Sequence, residues 1–345
     1  MTIRQRIAAV AGAFVVAAAL AGCGGGEPVT ATRSFAADAL ILDRFIGTLT
    51  IETGGAAGSI EVELTATEAQ ADIMPMTVAN GTLTIRWEGE PDRRRRFYEF
   101  WRGRWMVGLD DLGSYPRLTI RLPADMPVET RDLFARFDIA DRTAPLTIGL
   151  NSGVGSVGTT VSTTVSVVGD GTVELAEVSE RLVVSIAGSG DVSVDGAAAA
   201  DLSIAGSGNI DVGNAGEARI AISGSGDVAM ADVASVALEV NGSGNVRLGA
   251  VTDFVSRMAG SGDVSIASVT GRFSASVAGS SNIVVASGRG APFEVSVAGS
   301  GDVRFEGIAV DPEVRVSGSG DVFLGRVEGD LDSSTSGSGT VTVGE

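Results

Sequence analysis

From residue 182 onward the apolar positions come in period-2 pairs, and the pairs bracket one recurring small turn. Leu202 and Ile204 precede such a turn, and Ile210 and Val212 follow it. Ile220 and Ile222, then Val228 and Met230, bracket the next; Val240, then Val246 and Leu248, bracket the one after. Alternation with a period of two predicts strands with one face inward and one outward. The turn reads Gly-Ser-Gly-Asp/Asn, with its first glycine at Gly188, Gly206, Gly224, Gly242, Gly260, Gly279, Gly299, Gly318 and Gly337, at spacings of 18 to 20 residues. Ser281 replaces the second glycine of one copy and Thr340 ends the last. Degenerate copies at residues 153–156 and 169–172 bring the count to eleven.

Strands this short do not make an independent hairpin at every repeat. Stacking each coil on the last buries a continuous column of Val and Ile, which is how repeat architectures gain stability. The expected fold is all-β: a three-sided parallel β-helix (β-solenoid) of 18–20 residues per coil. Its third side comes from smaller, variable segments such as residues 197–200, Val233 with Val236, and Val269 with Phe273. Glycine is expected at the corner because the sharp turn needs positive φ and a side chain would strike the neighbouring coil. A β-sandwich is the alternative, but it does not require so constant a period. Eighteen residues are three hexapeptides, as in left-handed helices, and the later 19- and 20-residue coils relax that rule. Residues 34–150 are strand-rich without the glycine signature. Asn80-Gly81 between two alternating runs predicts a hairpin, and residues 118–122 before Pro123 predict a strand. This region is expected to cover the N-terminal end of the 151–345 solenoid.

Residues 1–22 have the make-up of an export signal: Arg4 and Arg6, then an apolar stretch over 7–20, shorter than the roughly 20 residues of a membrane span. Leu20, Ala21, Gly22 and Cys23 resemble a bacterial lipobox, which makes Cys23 the expected lipidation site. Acyl chains there would attach the protein to the membrane. Gly24 follows the cysteine where Asp is the usual inner-membrane retention signal, so the expected location is the outer membrane. Residues 23–33 then form a flexible tether.

The 44% of apolar residues exclude a disordered acidic chain, and the 5% of aromatics argue against a core built on large rings. With no His and one Cys, Ser-His-Asp and Cys-His catalysis, His-ligated zinc and an internal disulfide are excluded. The net charge is −18, and becomes −20 once Arg4 and Arg6 leave with the signal, which disfavours nucleic acid as a partner.

Residues 45–50, 60–64, 80–85 and 117–123, followed by the repeated Gly-Ser-Gly-Asp/Asn-Val, resemble the autotransporter adhesin head GIN domain family. They are similar too to a related bacterial β-solenoid family of unknown function. The resemblance implies a right-handed, pectin-lyase-like β-helix with no catalytic residues and a role in cell-surface adhesion.

Three constellations could carry chemistry. The residue after each turn runs Asp191, Asn209, Asp227, Asn245, Asp263, Asn282, Asp302, Asp321. Stacked about 4.8 Å apart, two carboxylates repel by about 1 kcal/mol in water. Alternating Asp with Asn doubles the charge spacing, so a structural polar ladder is expected. Calcium-binding rolls place Asp two residues after Gly in a nine-residue turn, which this spacing does not match. Asp302 and Asp321 break the alternation and form the one ladder position where a cation is expected, held by too few ligands to bind tightly. The second constellation is residues 86–107, an insertion with seven Arg, all three Trp and three further aromatics. Arg93, Arg94, Arg95, Arg96, Trp101 and Trp105 are its candidate contacts for acidic sugars, lipid phosphates or an acidic protein. The alternative is a loop folded back, with its acids pairing the Arg. Third, Asp195, Asp211 and Asp232 lie where polysaccharide-cleaving β-helices carry acids, but no cluster singles out an acid and a base. The expectation is a non-enzymatic envelope lipoprotein without cofactors. Its expected partners are the membrane through its anchor, surface glycans or envelope proteins, and a second copy through the C-terminal coil. A polysaccharide-active protein and a calcium-binding repeat protein are the alternatives.

Overall fold

A computed structural model of the protein describes residues 26–89, 98–101, 104–107 and 109–344. It is nearly all β, with parallel strands stacked as a β-solenoid of about 11 turns; the sandwich is not formed. The chain divides into two compact units, Met1–Ala176 and Glu177–Glu345.

In Glu177–Glu345 each coil pairs in parallel with the next at a nearly constant offset. Asp191–Gly206 lies on Asn209–Gly224, which lies on Val233–Gly242, and that on Val246–Gly260. The alternation places every second side chain inside. The column Val192, Ile210, Val228, Val246, Val264, Ile283, Val303, Val322 is in register throughout, and none of its members is more than 1% exposed. A second column of Ile204, Ile222, Val240, Met258, Val277, Val297 and Val316 faces inward from the strands before the turns. Burying a Val or Ile side chain contributes about 1.5–3 kcal/mol. A one-residue slip would turn a whole column out to water, so the pattern fixes the register.

The longer coils keep that register by placing the extra residue at a corner. Val251 still pairs with Val269, 18 residues on, whereas Phe254 pairs with Phe273, 19 on; the added residue lies between them. On the third side Phe254, Phe273 and Phe293 stack with ring centroids 5.6 and 5.0 Å apart. Phe305 packs on both Phe273 and Phe293, at 5.3 and 5.0 Å. Two residues along the same strands, the inward positions shrink to Ser256 and Ala275, leaving the interior volume that the rings occupy.

The first glycine of each turn has φ between +122° and +159°. At Gly242, with φ +152°, a Cβ would sit 2.2 Å from the carbonyl oxygen of Gly224 below it. The corner is closed to any side chain because the coils approach there backbone to backbone.

In Met1–Ala176 a parallel stack is interrupted by an excursion. Ile46–Thr53 pairs in parallel with Val128–Ile139 on one side and with Arg117–Leu122 on the other. Val128–Ile139 pairs onward with Leu146–Val157, which pairs with Thr160–Val167 and with the start of Thr172–Ile186. After Thr53 the regular coiling is broken, although Thr82–Arg86 still pairs in parallel with Ala39–Asp43. Ser59–Ala66 runs antiparallel to both Val29–Ala36 and Arg117–Leu122. Met76–Ala79 and Thr82–Arg86 form the expected hairpin, turning at Asn80 and Gly81 with φ of +52° and +76°, the positive values that an Asn-Gly pair tolerates. Tyr98–Trp101 and Arg104–Val107 form a further hairpin inside the Arg-rich insertion.

Candidate functional site

The corner after each turn carries the most regular chemistry. Asp191 Oδ1 accepts the backbone N–H of Asn209 at 3.2 Å and its side-chain Nδ2 at 2.8 Å. Asn209 Oδ1 accepts the N–H of Asp227 at 3.3 Å. Asp227 Oδ1 takes both donors of Asn245, at 2.8 and 3.0 Å, and Asn245 Oδ1 accepts from Asp263 at 3.1 Å. Asp263 accepts Asn282 Nδ2 at 2.9 Å, and Asn282 accepts the N–H of Asp302 at 3.0 Å. Each acid or amide therefore caps the next coil, and each of Asn209, Asn245 and Asn282 also donates to the acid before it. Alternation supplies a donor wherever two carboxylates would otherwise face each other.

The break in alternation takes a different form. Asp302 Oδ1 accepts the N–H of Asp321 at 2.8 Å. Asp321 Oδ1 turns to the next coil, accepting the hydroxyl of Thr340 at 2.7 Å and its N–H at 2.9 Å. These two bonds hold the Asp321 carboxyl below the usual carboxylate range. No group of three or more Cys, Asp or Glu suited to a metal ion is present among the described residues, so Asp302 and Asp321 have no third such ligand.

A second set of caps lies at other corners and escaped the sequence reading. Asn214 Oδ1 accepts from Asp232 N–H at 3.1 Å, and Asp232 Oδ1 from Ala250 N–H at 2.8 Å. Asp253 caps Arg272, Asp311 caps Asp330, and Asp141 caps Thr159 in the same way. The signal was an Asp or Asn one coil before a corner, but without a fixed glycine neighbour it does not stand out. Arg142 was also missed. It is 2% exposed, and its Nη2 donates to the carbonyls of Pro123 and Met126 at 2.6 Å each, while Nε and Nη1 have no partner. Burial pushes its guanidinium below the usual range. It ties down the bend between Arg117–Leu122 and Val128–Ile139.

Asp211 pairs in register with Ser193, two residues from Asp195, so these two acids lie on the outward face of adjacent coils, while Asp232 serves as a corner cap. In the insertion, Trp101 and Trp105 belong to the two hairpin strands, with Phe100 opposite Trp105. Arg93, Arg94, Arg95 and Arg96 lie outside the described residues, as do Leu20, Ala21, Gly22 and Cys23. At the start of the insertion, Arg86 Nε is 3.2 Å from Asp43 Oδ2. Among the described residues no helix is long and apolar enough to cross a membrane.

The family described as "Putative auto-transporter adhesin, head GIN domain" matches residues 148–250 and again 249–344. The chain belongs to this GIN domain family. A crystal structure of a "putative adhesin" from Parabacteroides distasonis is similar at 16% identity and a TM-score of 0.39, covering 93% of this chain and 98% of that one. Another from Parabacteroides merdae is similar at 15% identity and a TM-score of 0.32, with 93% and 98% covered. A third, from Bacteroides fragilis, stands at 15% and 0.31, with 91% and 97% covered. No curated protein matches the chain. The two GIN domain matches overlap at residues 249–250, inside the strand Val246–Gly260.

Proposed function

We propose that this GIN domain protein is an exported, lipid-anchored module that presents a rigid β-solenoid for adhesion at the cell envelope and catalyses no reaction. The observation that carries this reading is the use of the ladder acids. Every Asp of the corner column accepts a hydrogen bond from the coil above it, so these carboxylates are tied into the scaffold and do not converge on a substrate. The family description as an adhesin head supports surface interaction, and the signal-like residues 1–22 before Cys23 support export and anchoring. The Arg- and Trp-rich insertion supports an acidic partner, because it gathers seven of the 25 basic residues into one segment of a chain with net charge −18.

The anchor is tested with Cys23→Ser. The variant is expected to lose acyl labelling and to move from the membrane to the aqueous fraction; a variant that still labels and still sediments with membranes ends the lipidation reading. The interaction is tested by binding the purified protein to anionic glycans and to anionic vesicles, with Arg93 to Arg96 replaced by Ser. Binding is expected to weaken while the melting temperature holds. New reducing ends or unsaturated products during incubation with acidic polysaccharides would place the protein among the polysaccharide-cleaving enzymes instead.

A further inference from the structure

The outward side of the strands that precede the turns forms a small grid in Glu177–Glu345. One column reads Asp201, Arg219, Ala237, Val255, and the neighbouring column Ser203, Ala221, Glu239, Arg257, both in register over four coils. A shallow groove of about 420 Å³ runs over these eight residues. Asp201 is engaged within the chain, by Arg181 and by Arg219 at 3.6 Å. Glu239 accepts Asn241 Nδ2 at 3.0 Å, but neither Glu239 nor Arg257 has an ion-pair partner among the described residues, and both are exposed. Two acids and two Arg leave the grid neutral on a chain of net charge −18. Within these eight positions like charge does not oppose the approach of a second copy.

We propose that this face joins two copies of the chain, with the coil order of one running opposite to the other, about a two-fold axis lying along the strands between the coil of Arg219 and the coil of Ala237. That rotation sets Asp201 over the partner's Val255, Arg219 over the partner's Ala237, Glu239 over the partner's Ala221 and Arg257 over the partner's Ser203. Every charged side chain meets a smaller, uncharged one, so two sheets can approach to the usual separation of about 10 Å. Within each coil level Asp201 then lies beside the partner's Arg257, and Arg219 beside the partner's Glu239. The columns are about 7 Å apart, within reach of an Arg, and four intermolecular ion pairs result. Shifting this axis by half a coil spacing, or laying it along the coil stack, fails on charge. Moving the axis onto the Arg219 coil sets Arg219 over the partner's Arg219, and moving it onto the Glu239 coil sets Glu239 over the partner's Glu239. An axis along the coil stack places Asp201 beside the partner's Asp201. An interface of this kind is isologous, the same patch serving both copies. Four coils and two columns cover less than a standard-size interface, so the dimer is weak and sensitive to salt.

Sedimentation velocity across 5–500 µM protein tests this. The parent is expected to dimerise in the micromolar range at low salt and to dissociate on addition of 0.5 M NaCl. Arg219→Glu and Glu239→Arg should each weaken association at least tenfold with unchanged melting temperature. An equimolar mixture of the two variants should recover a dimer. The acid introduced at position 219 of one copy then lies beside the arginine introduced at position 239 of the other, and the unaltered Glu239 and Arg219 still face each other. A parent that stays monomeric, single variants that associate as the parent does (including through the C-terminal coil), or a folded mixture that does not recover would each overturn the proposal.

Discussion

At the scale of single residues, the corner is governed by two opposite demands on size. The first glycine position admits no Cβ, because one placed on Gly242 would overlap the carbonyl oxygen of Gly224. Gly242→Ala is expected to cost about 3 kcal/mol from strain and displaced backbone, read as a lower midpoint in denaturant with an unchanged slope. Beyond the turn's second glycine, the ladder position demands a side chain of one length bearing an oxygen. Asp321 accepts from both the hydroxyl and the N–H of one residue, Thr340. Its folded carboxyl is held below the 3.8 of an unfolded Asp by the Thr340 hydroxyl and N–H. A depressed folded value contributes stability that is present above the unfolded value and lost as pH falls through the folded one. The melting temperature of the parent should therefore drop more steeply between pH 4 and pH 2.5 than that of Asp321→Asn. The Asn variant keeps the oxygen that accepts from Thr340 and gains an amide able to donate to Asp302, as Asn209 does to Asp191. At pH 7 it should melt slightly above the parent. Equal acid slopes would show that the charge on Asp321 adds nothing to the bond from Thr340.

At the scale of the coil, side chains on different strands compensate for one another. The interior stack of Phe254, Phe273, Phe293 and Phe305 occupies space released by Ser256 and Ala275. Phe273 touches the other three rings and is fully buried. Phe273→Ala should cost about 3–5 kcal/mol, and hydrogen exchange should accelerate first in its neighbours Val246–Gly260 and Phe293–Gly299, because each coil is supported chiefly by the coils beside it. The same logic orders the coils by protection. The strand Asp332–Gly337 is exposed at every position and sets Ser333 and Thr335 where the strand it pairs with sets Val314 and Val316. Its amides should exchange earliest in Glu177–Glu345, and those of Asn209–Gly224 among the last. The hairpin at Asn80-Gly81 and the 18-residue stack were legible in the sequence because turn chemistry and period are local properties. The antiparallel placement of Ser59–Ala66 between Val29–Ala36 and Arg117–Leu122 was not, because strand partners that far apart leave no periodic trace.

At the scale of the whole molecule, the charge of −18 and a sequence pI of 4.4 predict a solubility minimum near that pH, measurable by light scattering between pH 3.5 and 7. The sequence by itself determined the β-solenoid, its coil length, the inward columns and the glycine corners, since each follows from a period of two nested in a period of 18–20 and from the room a backbone corner leaves. It also determined the family and the polar ladder as a row of residues. Only the tertiary structure decided which donor each ladder oxygen receives, that Asp321 turns to Thr340, that Arg142 is buried with two nitrogens unpaired, and that Asp201, Arg219, Glu239 and Arg257 share one neutral face. Such facts depend on which coils lie side by side and which way each strand faces. A corner repeats with the chain and can be read along it, whereas an outward grid exists only across the stack.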